Sequence, residues 1–172
     1  MTGALAVVLA AGRGTRMKSE LPKVLFPVLG RPMIHWVLDA LQAAGCQRSI
    51  VVVGYRADDV KQELSGRTGV SFAVQTEQLG TGHAVQMCRD QLESHSGTVM
   101  VVAGDSPLIQ STSVQRLLAE FSAGAWSCLL VRLKKTIRLD WGALCGTQLG
   151  SLSELLSKKM RLLHNFKSAK LT

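Results

Sequence analysis

Apolar and polar positions along this chain fall into blocks with two periods. Ala4–Leu9, Ser49–Val53, Val70–Val74, Thr98–Ala103 and Ser127–Leu133 are short, largely apolar runs, several of them apolar on both faces, as buried strands are. Between them, apolar residues recur at helical spacing. Pro32 opens a helix at its first turn, where a missing N–H costs nothing; Ile34, Val37, Leu38 and Leu41 follow, and Gly45 closes it. Ala57–Leu64 predicts a short polar helix. Thr81–Leu92 predicts one with Ala84, Val85, Met87 and Cys88 inward, and Ser111–Phe121 one with Val114, Leu117, Leu118 and Phe121 on one stripe. Strands alternating with helices predict an α/β fold: a doubly wound, mostly parallel sheet with helices on both faces. Such sheets bind ligands beyond the carboxyl ends of their strands.

At 172 residues the chain is long enough for one domain with a real core. No apolar run approaches the roughly 20 residues of a membrane helix, and the residues before Ala10 lack the basic start of a signal peptide. Cys46, Cys88, Cys128 and Cys145 are scattered and fit no zinc ligand set, so reduced cysteines in a cytoplasmic protein are expected. The formal charge of +8 suggests nucleic acid, but its distribution argues against that. Residues 1–133 hold 12 Lys+Arg against 10 Asp+Glu, whereas residues 134–172 hold 8 against 2. The basic excess belongs to the tail.

Three stretches that follow directly on predicted strands carry candidate chemistry. After the first come Ala10, Ala11, Gly12 and Gly14, small residues that let backbone approach a ligand, then Arg13, Arg16, Lys18 and Lys23. A strand, a small-residue turn and cations form a plausible phosphate cradle. It is neither a dinucleotide fingerprint, since Met17 stands where the third glycine belongs, nor a Walker loop, since Met17 rather than glycine precedes Lys18-Ser19. Asp39, within a helix, also speaks against a nicotinamide dehydrogenase. After the third strand, Gln75 can donate and accept, as reading a base edge requires, Gly80 and Gly82 allow close approach, and Thr81 can cap the next helix. His83 is read as an ordinary helix residue. After the fourth strand, Asp105 beside Gly104 is a place to hold Mg²⁺, or simply opens a turn before Pro107.

The succession L-A-A-G-x-G-T-R-M, L-P-K, Q-x-E-Q-L-G-T-G-H-A, G-D-x-P-L resembles the sugar-1-phosphate nucleotidyltransferases. More narrowly, it resembles the uridylyltransferase half of the bifunctional bacterial N-acetylglucosamine-1-phosphate uridylyltransferase/glucosamine-1-phosphate acetyltransferases. Gln75–Ala84 is its most specific part, and the resemblance covers residues 4 to about 133. It implies a Rossmann-like nucleotidyltransferase fold, incomplete at the C-terminus. It also implies transfer of uridylyl from UTP to N-acetylglucosamine 1-phosphate, giving UDP-N-acetylglucosamine and pyrophosphate for cell-wall synthesis. Leu9, Ala10, Ala11 and Gly12 would line the nucleotide, with Gly12 and Gly14 near its phosphates. Arg16 and Lys23 would neutralise the triphosphate, Gln75, Gly80 and Thr81 would recognise uracil, and Asp105 would hold Mg²⁺. Neither nucleic acid nor membrane is expected as a partner, and the oligomeric state is left open.

After Lys135 the resemblance stops. Relatives continue Asp-Asp-Pro-Thr-Gly, then Gly-Arg, where this chain reads Thr136 to Ala143. Lys135 back-translates as AAG, followed by ACG ATC CGA CTG GAT TGG GGC GCT. Started one base earlier, the codons are GAC GAT CCG ACT GGA TTG GGG CGC, which encode Asp-Asp-Pro-Thr-Gly-Leu-Gly-Arg. The third bases are chosen, but the residues largely fix the other two. The same shift over residues 150–162 permits another family block, Gly-Ile-Val-Glu and Lys-Asp-Ala-Thr. The hypothesis is a frameshift: residues 1–135 are the N-terminal part of a nucleotidyltransferase domain, and 136–172 are a non-homologous tail. Sequencing the gene tests it, since a Lys135 codon ending in A would sink it. Without the sugar contacts and second metal ligand of the lost region, weak or absent turnover, an uncovered sheet edge and low stability are expected.

Overall fold

A computed structural model describes residues 3–124, 128 and 129, with Arg16 described by its backbone. Its centre is β1 (Leu5–Leu9), whose first four residues are fully buried, as an apolar run enclosed on both faces must be. β4 (Arg48–Val53) and β6 (Val99–Ala103) flank it in parallel, and β5 (Val70–Val74) lies beyond β4. The order is β5-β4-β1-β6, with Leu9 level with Val52 and Ala103.

That order decides which face each helix covers. The chain steps from β1 to β4 to β5 in one direction, and right-handed crossovers put α1 (Met33–Ala43) and α2 (Ala57–Glu63) on one face. Ile34, Val37, Leu38, Leu41 and Val60 pack there on Ala6, Val8, Val51 and Val53, joined by Val114 of α5 (Ser111–Ala123). The return from β5 to β6 runs the other way, so α3 (Thr81–Gln86) and α4 (Arg89–Glu93) cover the opposite face. There Ala84 and Cys88 meet Leu5, Val7, Ile50, Val52 and Ala73. Full burial of each such valine or leucine contributes about 1.5–3 kcal/mol. The expected doubly wound α/β architecture is therefore present. Among the described residues β6 is a sheet edge, with Val99 and Val101 exposed.

Local details depart from the sequence reading. A two-stranded hairpin, β2 (Pro27–Val28) with β3 (Arg31–Pro32), was not anticipated. Leu29 and Gly30 both have positive φ, 52° and 76°, the mark of a type I′ turn, but the leucine hides the usual Asn-Gly signal. Pro32 immediately precedes α1 instead of occupying its first turn. The single helix expected over Thr81–Leu92 is two. Cys88 N–H bonds the Val85 carbonyl three residues back, tightening the chain between them, and Met87 turns outward. No helix of the described residues is long and apolar enough to cross a membrane. The expected strand Ser127–Leu133 lies almost wholly outside the described residues, and the tail 136–172 entirely so.

Candidate nucleotide site

Because Leu9, Val53, Val74 and Ala103 all point their carboxyl ends the same way, the loops that follow them emerge along one edge of the sheet. β1 sits where the chain reverses direction, with neighbours reached by connections on either side. Ala10 and Ala11 are nearly fully buried, one in each core cluster. Of the four residues expected to line a nucleotide, Gly12 is therefore the exposed one, and a Cβ built on it meets nothing within 4 Å.

Gly14 has a packing role of its own. It adopts φ 67° ahead of the 3-10 turn Thr15–Met17, whose middle residue is Arg16. A Cβ on Gly14 would stand 2.8 Å from Lys23 Cβ, so the glycine makes room for the lysine stem. Lys23 opens a second 3-10 turn, Lys23–Leu25, in which Val24 and Leu25 are buried. A Cβ on Gly104 would come within 3.2 Å of Val24 Cγ1, so this turn lies against the end of β6. The consequence is the ion pair Lys23 Nζ–Asp105 Oδ2, 2.5 Å long, each side chain about one-third exposed. Lys23 and Asp105, 82 positions apart, are thus brought together at the switch between β1 and β6.

The loop after β5 is fastened by amides. Gln78 Nε2 donates to the Ala11 carbonyl at 2.9 Å, tying this loop to that of β1. Gly54 lies between them: a Cβ there would be 2.9–3.0 Å from Ala11 Cβ and from the carbonyl oxygens of Ala11 and Gln75. Gln75 is 4% exposed, and its Nε2 donates to the Gly80 carbonyl and to His83 Nδ1, each at 3.1 Å. The Gly80 oxygen accepts only, which fixes the amide orientation and places the His83 proton on Nε2. Gln75 Oε1 has no hydrogen bond among the described residues. Thr81 does not cap α3. Gly80 holds the cap position at φ 107°, a conformation glycine favours, and no side chain caps it.

Two groups therefore form along one edge: Gly14, Lys23 and Asp105 on one side, Ala11, Gln75 and Gly80 on the other. Gln78, His83, Gly54 and Val24, which sequence reasoning passed over, hold them. The spacing of Gln75 and Gln78 was a visible signal; the packing roles of Gly54 and Val24 had none. Arg13 stacks over Tyr55 at 4.9 Å and Arg56 pairs with Glu20 and Asp59, linking the β1 loop to the β4 loop. Asp39 is absorbed by Arg31 and Arg67. Burial pushes the Cys88 thiol up to about 11, so it is no nucleophile at neutral pH. No group of three or more His, Cys, Asp or Glu gathers among the described residues. A Mg²⁺ ion held at Asp105 would therefore need substrate phosphates and water to complete its shell.

The model of the MobA-like NTP transferase domain matches residues 6–164. The chain belongs to this family of nucleotidyltransferases. It is 40% identical to the bifunctional protein GlmU of Trichlorobacter lovleyi over 154 residues, 90% of this chain and 34% of that one. It is 53% identical to the GlmU of an Exiguobacterium species over 118 residues, 69% of this chain and 26% of that one. The chain thus spans about a third or less of the curated relatives it matches. Among solved structures, a nucleotidyl transferase from Methanothermobacter thermautotroptrophicus is similar, with TM-score 0.59 and 27% identity over 69% of this chain and 58% of the other. The parallel sheet is therefore that of a nucleotidyltransferase.

Proposed function

We propose that this chain carries the nucleotide half of a uridylyltransferase site, taking UTP and N-acetylglucosamine 1-phosphate to UDP-N-acetylglucosamine and pyrophosphate in the cytoplasm. Similarity to proteins named GlmU supports the substrate class. The observation that carries the reading is the opposition of Lys23–Asp105 to the Gln75 loop along one sheet edge. Gln75 Oε1 is an acceptor suited to the N3–H of uracil and mismatched to the acceptor N3 of cytosine. Gly12 lets the β1 loop approach the phosphates, while Arg16 and Lys23 neutralise them.

The attacking oxygen of a sugar 1-phosphate is already anionic, so the chemistry requires no general base. Positioning and charge neutralisation by Lys23 and Arg16 supply the catalysis. Asp105 would hold Mg²⁺, which when bound offsets phosphate charge. The sugar-binding half would lie beyond the described residues, and the tail from 136 onward is proposed to be read in a shifted frame. Nucleotide binding without efficient turnover is the expected state of the chain.

Pyrophosphate release tests this. With UTP, Mg²⁺ and N-acetylglucosamine 1-phosphate, release should be slow or absent in this chain and restored in a version returned to frame. Turnover of roughly 1–10³ s⁻¹ by the present chain would contradict the impairment. Restored activity with a different nucleoside triphosphate would contradict the substrate.

A further inference from the structure

Lys23 and Asp105 each occupy the group the other would need to release in order to act. An ammonium on Asp105 Oδ2 both covers that oxygen and repels a divalent cation. A carboxylate on Lys23 Nζ engages the charge that would meet a triphosphate. The pair is not a loose surface bridge, because the lysine is seated from two sides. Its stem lies in the space left by Gly14, and the adjoining Val24 is wedged against Gly104. Exchange of partners would then need to move only the ammonium end, with Cβ, Cγ and Cδ left beside Gly14.

We propose that Lys23–Asp105 is an exchange pair that makes metal and nucleotide bind cooperatively. The proposal rests on the reading of Asp105 as the metal ligand of a nucleotide site. A divalent cation alone must displace Lys23 and leave its charge without a partner. A metal-free triphosphate recruiting Lys23 leaves Asp105 bare beside further negative charge. Together they give each group a better partner at once: phosphate for Lys23, the cation for Asp105. Each ligand then strengthens the other's binding by the same factor, as linkage demands. Gly14 becomes a positioning residue for the exchange.

The test is titration of the 172-residue chain with Mn²⁺, with and without UTP, following free Mn²⁺ by electron paramagnetic resonance. Wild type is compared with Lys23→Met, Asp105→Asn and Arg48→Met, the last removing an exposed charge at the opposite end of the sheet. Without nucleotide, Lys23→Met should bind Mn²⁺ about two- to fivefold more tightly than wild type, the worth of a part-exposed ion pair. Arg48→Met should match wild type. UTP should tighten Mn²⁺ by a smaller factor in Lys23→Met than in wild type, and Asp105→Asn should lose the site. Mn²⁺ affinity that depends on Asp105 but is unchanged or weaker in Lys23→Met would overturn the exchange and leave the site reading standing. Binding indifferent to Asp105→Asn would overturn both.

Discussion

The two sides of the site are built from different materials. On the Gln75 side, side-chain amides and close backbone contacts lock the loops: Gln78 to Ala11, Gln75 to Gly80 and His83, with Gly54 pressed between. On the Lys23 side, one part-exposed ion pair closes the gap between elements, and packing fixes only the lysine stem. A base needs a rigid acceptor whose position encodes specificity, because an unmet polar group there is costly. A triphosphate and its metal need charges that can change partner. The contrast is between one end of the edge locked by amides and packed backbone and another closed by a single part-exposed ion pair.

Substitutions can break or sharpen this contrast. The largest effect is expected for Gly54→Val, which drives a branched side chain into two carbonyls and a methyl group. It should cost about 3 kcal/mol by urea denaturation, and nucleotide binding with it, since the overpacked contact is mostly backbone. A loss below about 1 kcal/mol would show that the Gln75 side is not rigid. Next comes Gln75→Leu, which leaves the Gly80 carbonyl and His83 Nδ1 without a donor. It should cost about 1–3 kcal/mol and level the affinities for UTP and CTP in a binding titration. On the other side, Gly14→Ala meets φ 67° and Lys23 Cβ. A cost of about 1–2 kcal/mol is expected in thermal unfolding, with weakened triphosphate binding and intact base preference.

The smallest effects come from ion pairs. Burial acts to raise the Asp39 carboxyl pKa, but hydrogen bonds from Arg31 and Arg67 and their charges outweigh it and hold it below 3.8. Its contribution is therefore full above about pH 4 and is lost as pH falls through the depressed folded value. With Asp39 and Arg31 each about two-fifths exposed it is worth at most about 1 kcal/mol. Wild type should thus lose up to that much more stability than Asp39→Asn on acidification, the difference growing as urea midpoints are taken from pH 7 down through pH 3 to pH 2.

The strands were legible because their runs are largely apolar and periodicity marks burial directly. Val70–Val74 has the expected limits, and β1, β4 and β6 differ from theirs by one residue at the start. Local backbone geometry was not legible. Leu29 stands in a turn position that asparagine or glycine would have announced, and the break near Cys88 is a tightening without a breaker residue. At the site, motif residues could be named, but their partners could not. Nothing in the sequence says that the Lys23 stem fills the space of Gly14, or that Gln75 spends its amide nitrogen inside its own loop. Such contacts arise from long-range packing, which a local pattern does not encode.

The most direct measurement is a calorimetric titration of the chain with UTP, CTP, ATP and GTP, each with Mg²⁺. The account predicts that UTP binds at least about tenfold more tightly than CTP, a preference worth one well-placed hydrogen bond, and that Gln75→Leu removes it. Equal affinities for the four nucleotides in a folded sample would contradict it.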